Sequence, residues 1–441
     1  METPSIREPG QPRAQRPLTL QDARTLALAA LGGALEFYDF IIFVFFTTVI
    51  GQLFFPPDTS DWLRQLQSFG LFAVAYLARP LGGIIMAHHG DRTGRKRMFS
   101  LSVLLMSVPT LLIGLLPTYA TAGYAAPLAL LVLRMLQGAA VGGEVPGAWV
   151  FVSEHVPNHR VGFACGTLTA GLTLGILLGS LVATAINKIY SPEQVQAFAW
   201  RVPFLVGGVF GFLAVFLRRW LAETPVFEEM RQRRALVQEL PLKAVLSGHG
   251  VSVAVSMLLT WVLTAGIVVV ILMTPTLMQK QFGIAPARAL EANSLATLSL
   301  TVGCIVFGLC ADRFGVGRVL GVGCVALLVT TFLLYRGLAQ SSEHLIPLYV
   351  LTGACVGVVG VVPTVMVHAF PAAVRFSGLS FSYNVAYAIF GGLTPLVVTL
   401  LVKTTSLAPA YYVAALCAVG FGVAIYLQIV GRNRFEAMSS S

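Results

Sequence analysis

Charge is scarce in this 441-residue chain: Asp, Glu, Lys and Arg together make up 11% of it, against 56% hydrophobic residues. Soluble domains carry roughly 25% charged residues, so most of this chain is not built to face water. The ten-residue alternation of a membrane barrel is also missing, which leaves helices, the other fold that pairs its whole backbone within lipid. No Lys follows a Gly, so a phosphate-binding Gly-Lys-Ser/Thr loop is absent, and no His-Glu-x-x-His motif occurs; enzymes of those kinds are excluded, and no enzyme is expected. The six cysteines (Cys165, Cys304, Cys310, Cys324, Cys355 and Cys417) stand at unrelated spacings in or beside apolar stretches. They read as small buried thiols rather than as disulfide partners. His88, His89, His155 and His159 have no acidic or Cys cluster to complete a ligand set, so neither a metal site nor a cofactor is expected.

What is present is apolar length. Twelve stretches reach the roughly 20 residues that cross a bilayer, near residues 24–51, 66–89, 98–117, 124–153, 160–187, 200–220, 244–279, 290–311, 317–337, 344–370, 376–402 and 408–430. They predict an all-α membrane protein of two six-helix bundles, 24–220 and 244–430, with tails at 1–23 and 431–441 and a linker at 221–243. The polar, Pro-rich start with Arg7, Arg13 and Arg16 reads as a tail rather than a secretory leader. In the linker, Val226, Phe227 and Met230 among mixed charges predict either an amphipathic helix along the inner face or a solvated connection.

The net charge of +10 follows from topology. Of 29 Lys and Arg, twenty fall on the side that holds the N-terminus, seven on the other, and two, Arg79 and Arg134, inside spans. Positive residues favour the cytoplasmic side, so both termini are expected there, and no nucleic-acid partner is needed to explain the charge.

The halves repeat each other. AHHGDRTGRKR at 87–97 and GLCADRFGVGR at 308–318 place their Asp-Arg pairs 221 residues apart, and 138–160 can be laid on 353–375 at an offset of 215. At that offset Arg134 meets Tyr349, Glu144 meets Val359 and Glu154 meets Ala369. The ionisable groups belong to the N-terminal half, the expected seat of ion coupling and charge recognition. Gly171, Gly175 and Gly179 form a small-residue stripe suited to close helix packing, and Pro275, Pro363 and Pro395 are expected to kink their helices.

Glu36 and Asp39 share a face of the first span, within roughly 2 Å of its centre. Carboxyls are costly there, so either is a candidate proton carrier, the alternative being a static ion pair between helices. Arg134, offset about 6 Å along the axis from Asp39, is the natural counter-charge and heads a face continued by Gln137, Val141 and Glu144. The expected coupling scheme pairs Arg134 with Asp39 in the empty carrier and frees the guanidinium for a carboxylate when Asp39 takes a proton; a fixed scaffold is the alternative. Arg79 is expected to support a buried charge by pairing Glu144 or a carbonyl, contact with the substrate being the alternative. Tyr38, Gln137, Tyr383, Asn384, Tyr387 and Trp261 are candidate solute contacts or ordinary interhelical bonds.

The paired loops resemble the Gly-x-x-x-Asp-Arg-x-Gly-Arg-basic pattern of the major facilitator superfamily. GALEFYDF at 33–40, ARPLGG at 78–83, RMLQGAAVGGE at 134–144, AWRVPFLVGG at 199–208, AETPVF at 222–227 and FPAAVRFSGLSFSYNVAYAIFGGLTP at 370–395 resemble its metabolite:proton symporter family over nearly the whole chain. Ala87 departs from the leading Gly of the first loop, and the second ends Val316-Gly317-Arg318. The resemblance implies proton-coupled symport of a small carboxylate-bearing metabolite, an organic acid or a zwitterion, by a monomer in a bacterial inner membrane. Relatives carry citrate, 2-oxoglutarate, shikimate or proline and betaine. A facilitator or antiporter, or a sensor without flux, is the alternative. It also implies that the acidic pair Glu36 and Asp39 belongs to a family motif. With their placement, it makes Asp91, Arg92, Gly94, Arg95, Glu154, Arg160, Asp312 and Arg313 a cytoplasmic gate.

Overall fold

The computed structural model describes residues 17–429, except 60, 94, 219, 221–227, 230, 231, 233–240 and 342. Twelve long helical segments follow the twelve apolar stretches: α1 (Leu20–Phe45), α2 (Asp61–Thr93), α3 (Arg95–Leu115), α4 (Ala125–His155), α5 (Val161–Ile189), α6 (Arg201–Arg218), α7 (Gly250–Phe282), α8 (Pro286–Phe314), α9 (Val316–Gln340), α10 (Leu345–His368), α11 (Ala372–Val402) and α12 (Ala408–Ile429). No strand occurs among the described residues. Nine helices among those residues are long and apolar enough to cross a membrane. A tenth is added if Pro192–Ala199, bent by 47° against the helix that follows, is counted with it. α2, with 33 residues, and α3, with 21, complete the twelve. Most of the predicted linker helix, with Val226, Phe227 and Met230, falls on residues outside the described set, and its end joins a short helix, Pro241–Gly248.

Local chemistry sets the boundaries. Thr19 and Asp22 form a reciprocal capping box at the start of α1, with Thr19 N donating to Asp22 Oδ2 at 2.9 Å and Asp22 N to Thr19 Oγ1 at 3.2 Å. The 26 residues that follow reach about 39 Å at 1.5 Å each, enough for a core of about 30 Å.

The prolines act one turn upstream of themselves. A widened π segment, Ala265–Met273, precedes Pro275 in α7, a tightened 3-10 turn, Gly357–Val361, precedes Pro363 in α10, and a second π segment, Tyr387–Gly391, precedes Pro395 in α11. Proline has no N–H and its ring crowds the carbonyl four residues earlier, so the hydrogen-bond ladder changes step there. In α7 the Thr274 hydroxyl donates to Val269 O at 2.8 Å and occupies one of the displaced carbonyls.

Small residues let helices touch by backbone. A Cβ on Gly171 or Gly175 would stand 2.3 or 2.4 Å from the carbonyl oxygens of Ala30 or Ala34, so the glycine stripe of α5 presses on α1. Gly138 and Gly142 of α4 meet Ala75 and Arg79 of α2 in the same way, at 2.0 and 2.1 Å. The two halves join along two seams, α5 with α8 and α2 with α11.

Candidate transport site

The N-terminal half encloses a polar relay. Gln137 accepts at Oε1 from Arg134 Nη1 at 2.9 Å and donates through Nε2 to Thr110 Oγ1 at 2.7 Å. Thr110 and Asp39 lie side by side against α6, since a Cβ on Gly207 would meet Asp39 Oδ1 at 2.5 Å and Thr110 Cγ2 at 2.9 Å. Arg134, Gln137, Thr110 and Asp39 are all fully buried. The Arg134 guanidinium lies 4.0 Å from the ring centre of Phe43 and 5.1 Å from that of Phe40.

The direct Asp39–Arg134 ion pair expected from the sequence is not formed. Gln137, three residues along the same helix, holds the guanidinium on α4. Among the described residues neither Asp39 oxygen, nor Arg134 Nε or Nη2, has a hydrogen-bond partner. Glu36 is buried on the neighbouring turn and lines a narrow cleft together with Phe37, Met106, Val141, Glu144, Val145 and Leu172. Glu144 therefore shares a site with Glu36 rather than with Arg79. Tyr38 makes the interhelical bond that is its alternative reading: its hydroxyl donates to Pro203 O at 2.9 Å and its ring meets Phe210 edge-on, which sets it against α6 within the bundle.

Arg79 lies on the α2–α11 seam and crosses it. Its Nε donates to Asn384 Oδ1 at 3.3 Å, and its guanidinium lies 4.3, 5.2 and 5.5 Å from the ring centres of Tyr387, Tyr383 and Tyr76. Asn384 Nδ2 in turn donates to Gly142 O at 2.6 Å and Ser380 O at 2.8 Å. Helical spacing brings these groups together: Tyr76 and Arg79 are three apart on α2, Tyr383 and Tyr387 four apart on α11. Tyr76 and Tyr387 stack almost in parallel at 5.4 Å, and Trp149 packs edge-on against Tyr383 at 5.0 Å. Phe40 joins the two basic sites, since Arg134 lies over its ring and its edge contacts Tyr76 at 5.5 Å. Trp261 stacks on Phe390 at 4.1 Å and donates to the Tyr412 hydroxyl at 3.0 Å, forming a separate aromatic cluster in the C-terminal half.

The end of the bundle that carries the chain termini is closed. Asp312 of α8 accepts from the backbone amides of Gly162, at 2.7 Å, and Phe163, at 2.8 Å, in the first turn of α5. Glu154 at the end of α4 pairs with Arg375 at the start of the α11 helix at 3.0 Å. Phe376 wedges between two glycines: a Cβ on Gly90 would lie 2.5 Å, and one on Gly147 2.9 Å, from its ring. Arg160 adjoins this junction as the residue before α5. Arg313 does not join it; it is exposed, with its guanidinium over Phe314. Gly94 and the side chains of Asp91, Arg92 and Arg95 lie outside the described set.

Opposite Arg134 in the repeat, Tyr349 makes a neutral network, its hydroxyl 2.6 Å from both Val270 O and Asn293 Oδ1. Among the described residues no group of three or more His, Cys, Asp or Glu is placed to hold a metal.

The family described as "Sugar (and other) transporter" matches residues 25–244. A putative proline/betaine transporter of Staphylococcus aureus (strain MSSA476) is 30% identical over 413 residues, covering 92% of this chain and 88% of the relative. The chain belongs to the major facilitator superfamily, in its metabolite:proton symporter family. The glycine betaine/proline/ectoine/pipecolic acid transporter OusA of Dickeya dadantii (strain 3937) is 29% identical, covering 92% of this chain and 83% of that protein. Among solved structures, the proton:xylose symporter XylE bound to 6-bromo-6-deoxy-D-glucose superposes with a TM-score of 0.78 at 16% identity, over 92% of this chain and 95% of that one. A partially occluded inward-open form of XylE from E. coli gives 0.71 at 17% identity, over 93% and 98%. The fold of this chain is thus the twelve-helix membrane carrier fold, and the protein is a transporter rather than an enzyme.

Proposed function

We propose that this protein couples the entry of protons to uptake of a small carboxylate-bearing solute across a bacterial inner membrane, with both termini in the cytoplasm. The observation that carries the reading is Asp39: a fully buried carboxyl with neither oxygen bonded among the described residues, beside a relay that ends on a buried guanidinium. A carboxylate in such a place carries a large desolvation penalty unless it is paired or takes up a proton. Protonation of Asp39 lets its new O–H bond within the relay. Deprotonation on the cytoplasmic side releases the proton and restores a charge that Arg134 must answer. The solute enters at the seam, where Tyr383, Asn384 and Tyr387 of one half face Arg79 and Tyr76 of the other. Phe40, in contact with both sites, is the physical link between them. Closing and opening of the Asp312, Glu154–Arg375 and Phe376 contacts alternates access. The relatives named for proline and betaine make a zwitterion the solute class of choice, since it offers the carboxylate together with a cation.

Asp39→Asn in proteoliposomes tests the coupling. Uptake driven by a pH gradient should fall at least tenfold, while solute counterflow, which needs no net proton movement, should persist and lose its dependence on pH. Loss of counterflow as well, in a protein that still folds, would sink the assignment of Asp39 as a dedicated proton site.

A further inference from the structure

The three tyrosines around Arg79 form a cation site that is already occupied. Arg79 is 1% exposed and its guanidinium lies against the faces of Tyr387, Tyr383 and Tyr76, two contributed by α11 and one by α2. Ring faces attract cations, most strongly where water is excluded, and several faces together make the cage that recognises alkylated ammonium groups. No carboxylate forms an ion pair with Arg79 among the described residues, and its Nη2 is buried there without a hydrogen-bond partner. Its hydrogen bond to Asn384 is long at 3.3 Å. The arginine is therefore held largely by ring faces, with the Nη2 donor left over among the described residues.

We propose that Arg79 is a built-in stand-in for the solute's cation: a zwitterion binds by drawing the guanidinium out of the cage with its carboxylate and placing its own ammonium among Tyr76, Tyr383 and Tyr387. This rests on the reading of the seam as the solute site and names the class of solute it takes, a carboxylate with an alkylated ammonium one or two bonds away. The logic of selection is electrostatic. A simple cation meets a like charge already seated and is rejected. A simple anion can pair with Arg79 Nη2 but leaves the cage without a cation once the guanidinium swings out. A zwitterion satisfies both and adds no net charge to the seam, which keeps the site compatible with movement of one proton. Because the cage is shared between α2 and α11, its refilling is sensed by both halves at once.

Binding to the purified full-length protein in detergent, read by calorimetry, tests this with three probes. These are glycine betaine, its uncharged-head isostere 3,3-dimethylbutanoate, and choline, which has the ammonium without the carboxylate. The wild type should prefer betaine to the isostere by at least about tenfold, the scale of a desolvated cation–ring interaction, and should not bind choline. Tyr387→Leu should remove that preference and Tyr387→Phe should keep it, a contrast that a merely structural role would not give. Arg79→Gln should weaken betaine and, with the cage vacated, bind choline. A folded Arg79→Gln protein that refuses choline, or a wild type that binds the isostere as tightly as betaine, overturns the proposal. Proton-coupled uptake of a carboxylate alongside either of those results would leave the transport reading standing. Choline binding to Arg79→Gln in a protein that moves no carboxylate would instead retain the cage and defeat the transport reading.

Discussion

Replacing Asp312 by Asn should loosen the closed end of the carrier by an amount that the geometry sets. Gly162 and Phe163 lie in the first turn of α5, where backbone amides have no partner within the helix. Both are taken by the carboxylate of Asp312, at 2.7 and 2.8 Å, from the other half of the molecule. A hydrogen bond to a charged group contributes about 1.5–3 kcal/mol, and a negative charge at a helix start adds about 0.3–1 kcal/mol. Asp312 is partly exposed, so the low ends apply and the two bonds together stabilise the closed end by about 3 kcal/mol. Asn keeps one acceptor oxygen and loses the charge, giving up about 1.5–2 kcal/mol, a shift of roughly 10- to 30-fold toward the open end at 1.4 kcal/mol per decade. The bonds exist only while the ends of α5 and α8 meet, so their loss falls on that one state. Hydrogen exchange followed by mass spectrometry on a peptide covering the start of α5 reads it directly. Two amides should exchange roughly 10- to 30-fold faster in Asp312→Asn, and faster again in Asp312→Ala, with mid-helix amides unchanged. Unaltered exchange in both variants, or acceleration spread evenly along α5, would refute the reasoning.

Two further outcomes follow from packing and from the relay. Gly147→Ala would press a methyl to 2.9 Å from the Phe376 ring; overpacking of this kind costs about 1–3 kcal/mol, so uptake should slow and the double variant with Phe376→Leu should recover it, whereas no recovery would separate the defect from the wedge. Gln137→Leu strips Arg134 of its hydrogen-bond partner and should lower the thermal midpoint through a buried unsatisfied group costing about 1–3 kcal/mol; Gln137→Glu should restore it, and a Leu variant as stable as the wild type would remove the relay from the account.

The order of helices was legible because lipid imposes a single demand, about twenty apolar residues per crossing, and twelve such stretches met twelve helices. The repeat was legible because its loops are polar and stand out. Facing was not, since in helices apolar all round the period does not distinguish the seam from the lipid side. Arg134 read as the counter-ion of Asp39 from axial height alone, but Gln137 on its own helix reaches it first. Arg79 read as support for Glu144, yet it crosses to the other half, a contact 305 residues away in sequence. Tyr76 was missed, although its place three residues before Arg79 was a signal that the two share a face. Arg375 and Phe376 were hidden for another reason: their contacts at the closed end, to Glu154 and to Gly90 and Gly147, are made with the opposite half. The prolines were expected to kink their helices, and the missing N–H disturbs the turn before them, where the π and 3-10 segments lie.

Those altered turns all fall in α7, α10 and α11, whereas Asp39, Glu36, Arg79, Arg134 and Glu144 all fall in α1, α2 and α4. The duplicated chain thus gathers the buried charges of the transport site in its N-terminal half, while altered turns occur in both halves, since a further π segment, Val195–Ala199, lies ahead of Pro203. Tyr349 with Asn293 keeps the C-terminal half free of charge at the position where its twin carries a guanidinium. Substitutions that change the charge of the buried relay can therefore be made in one half without touching the proline-altered turns of α7, α10 and α11 in the other.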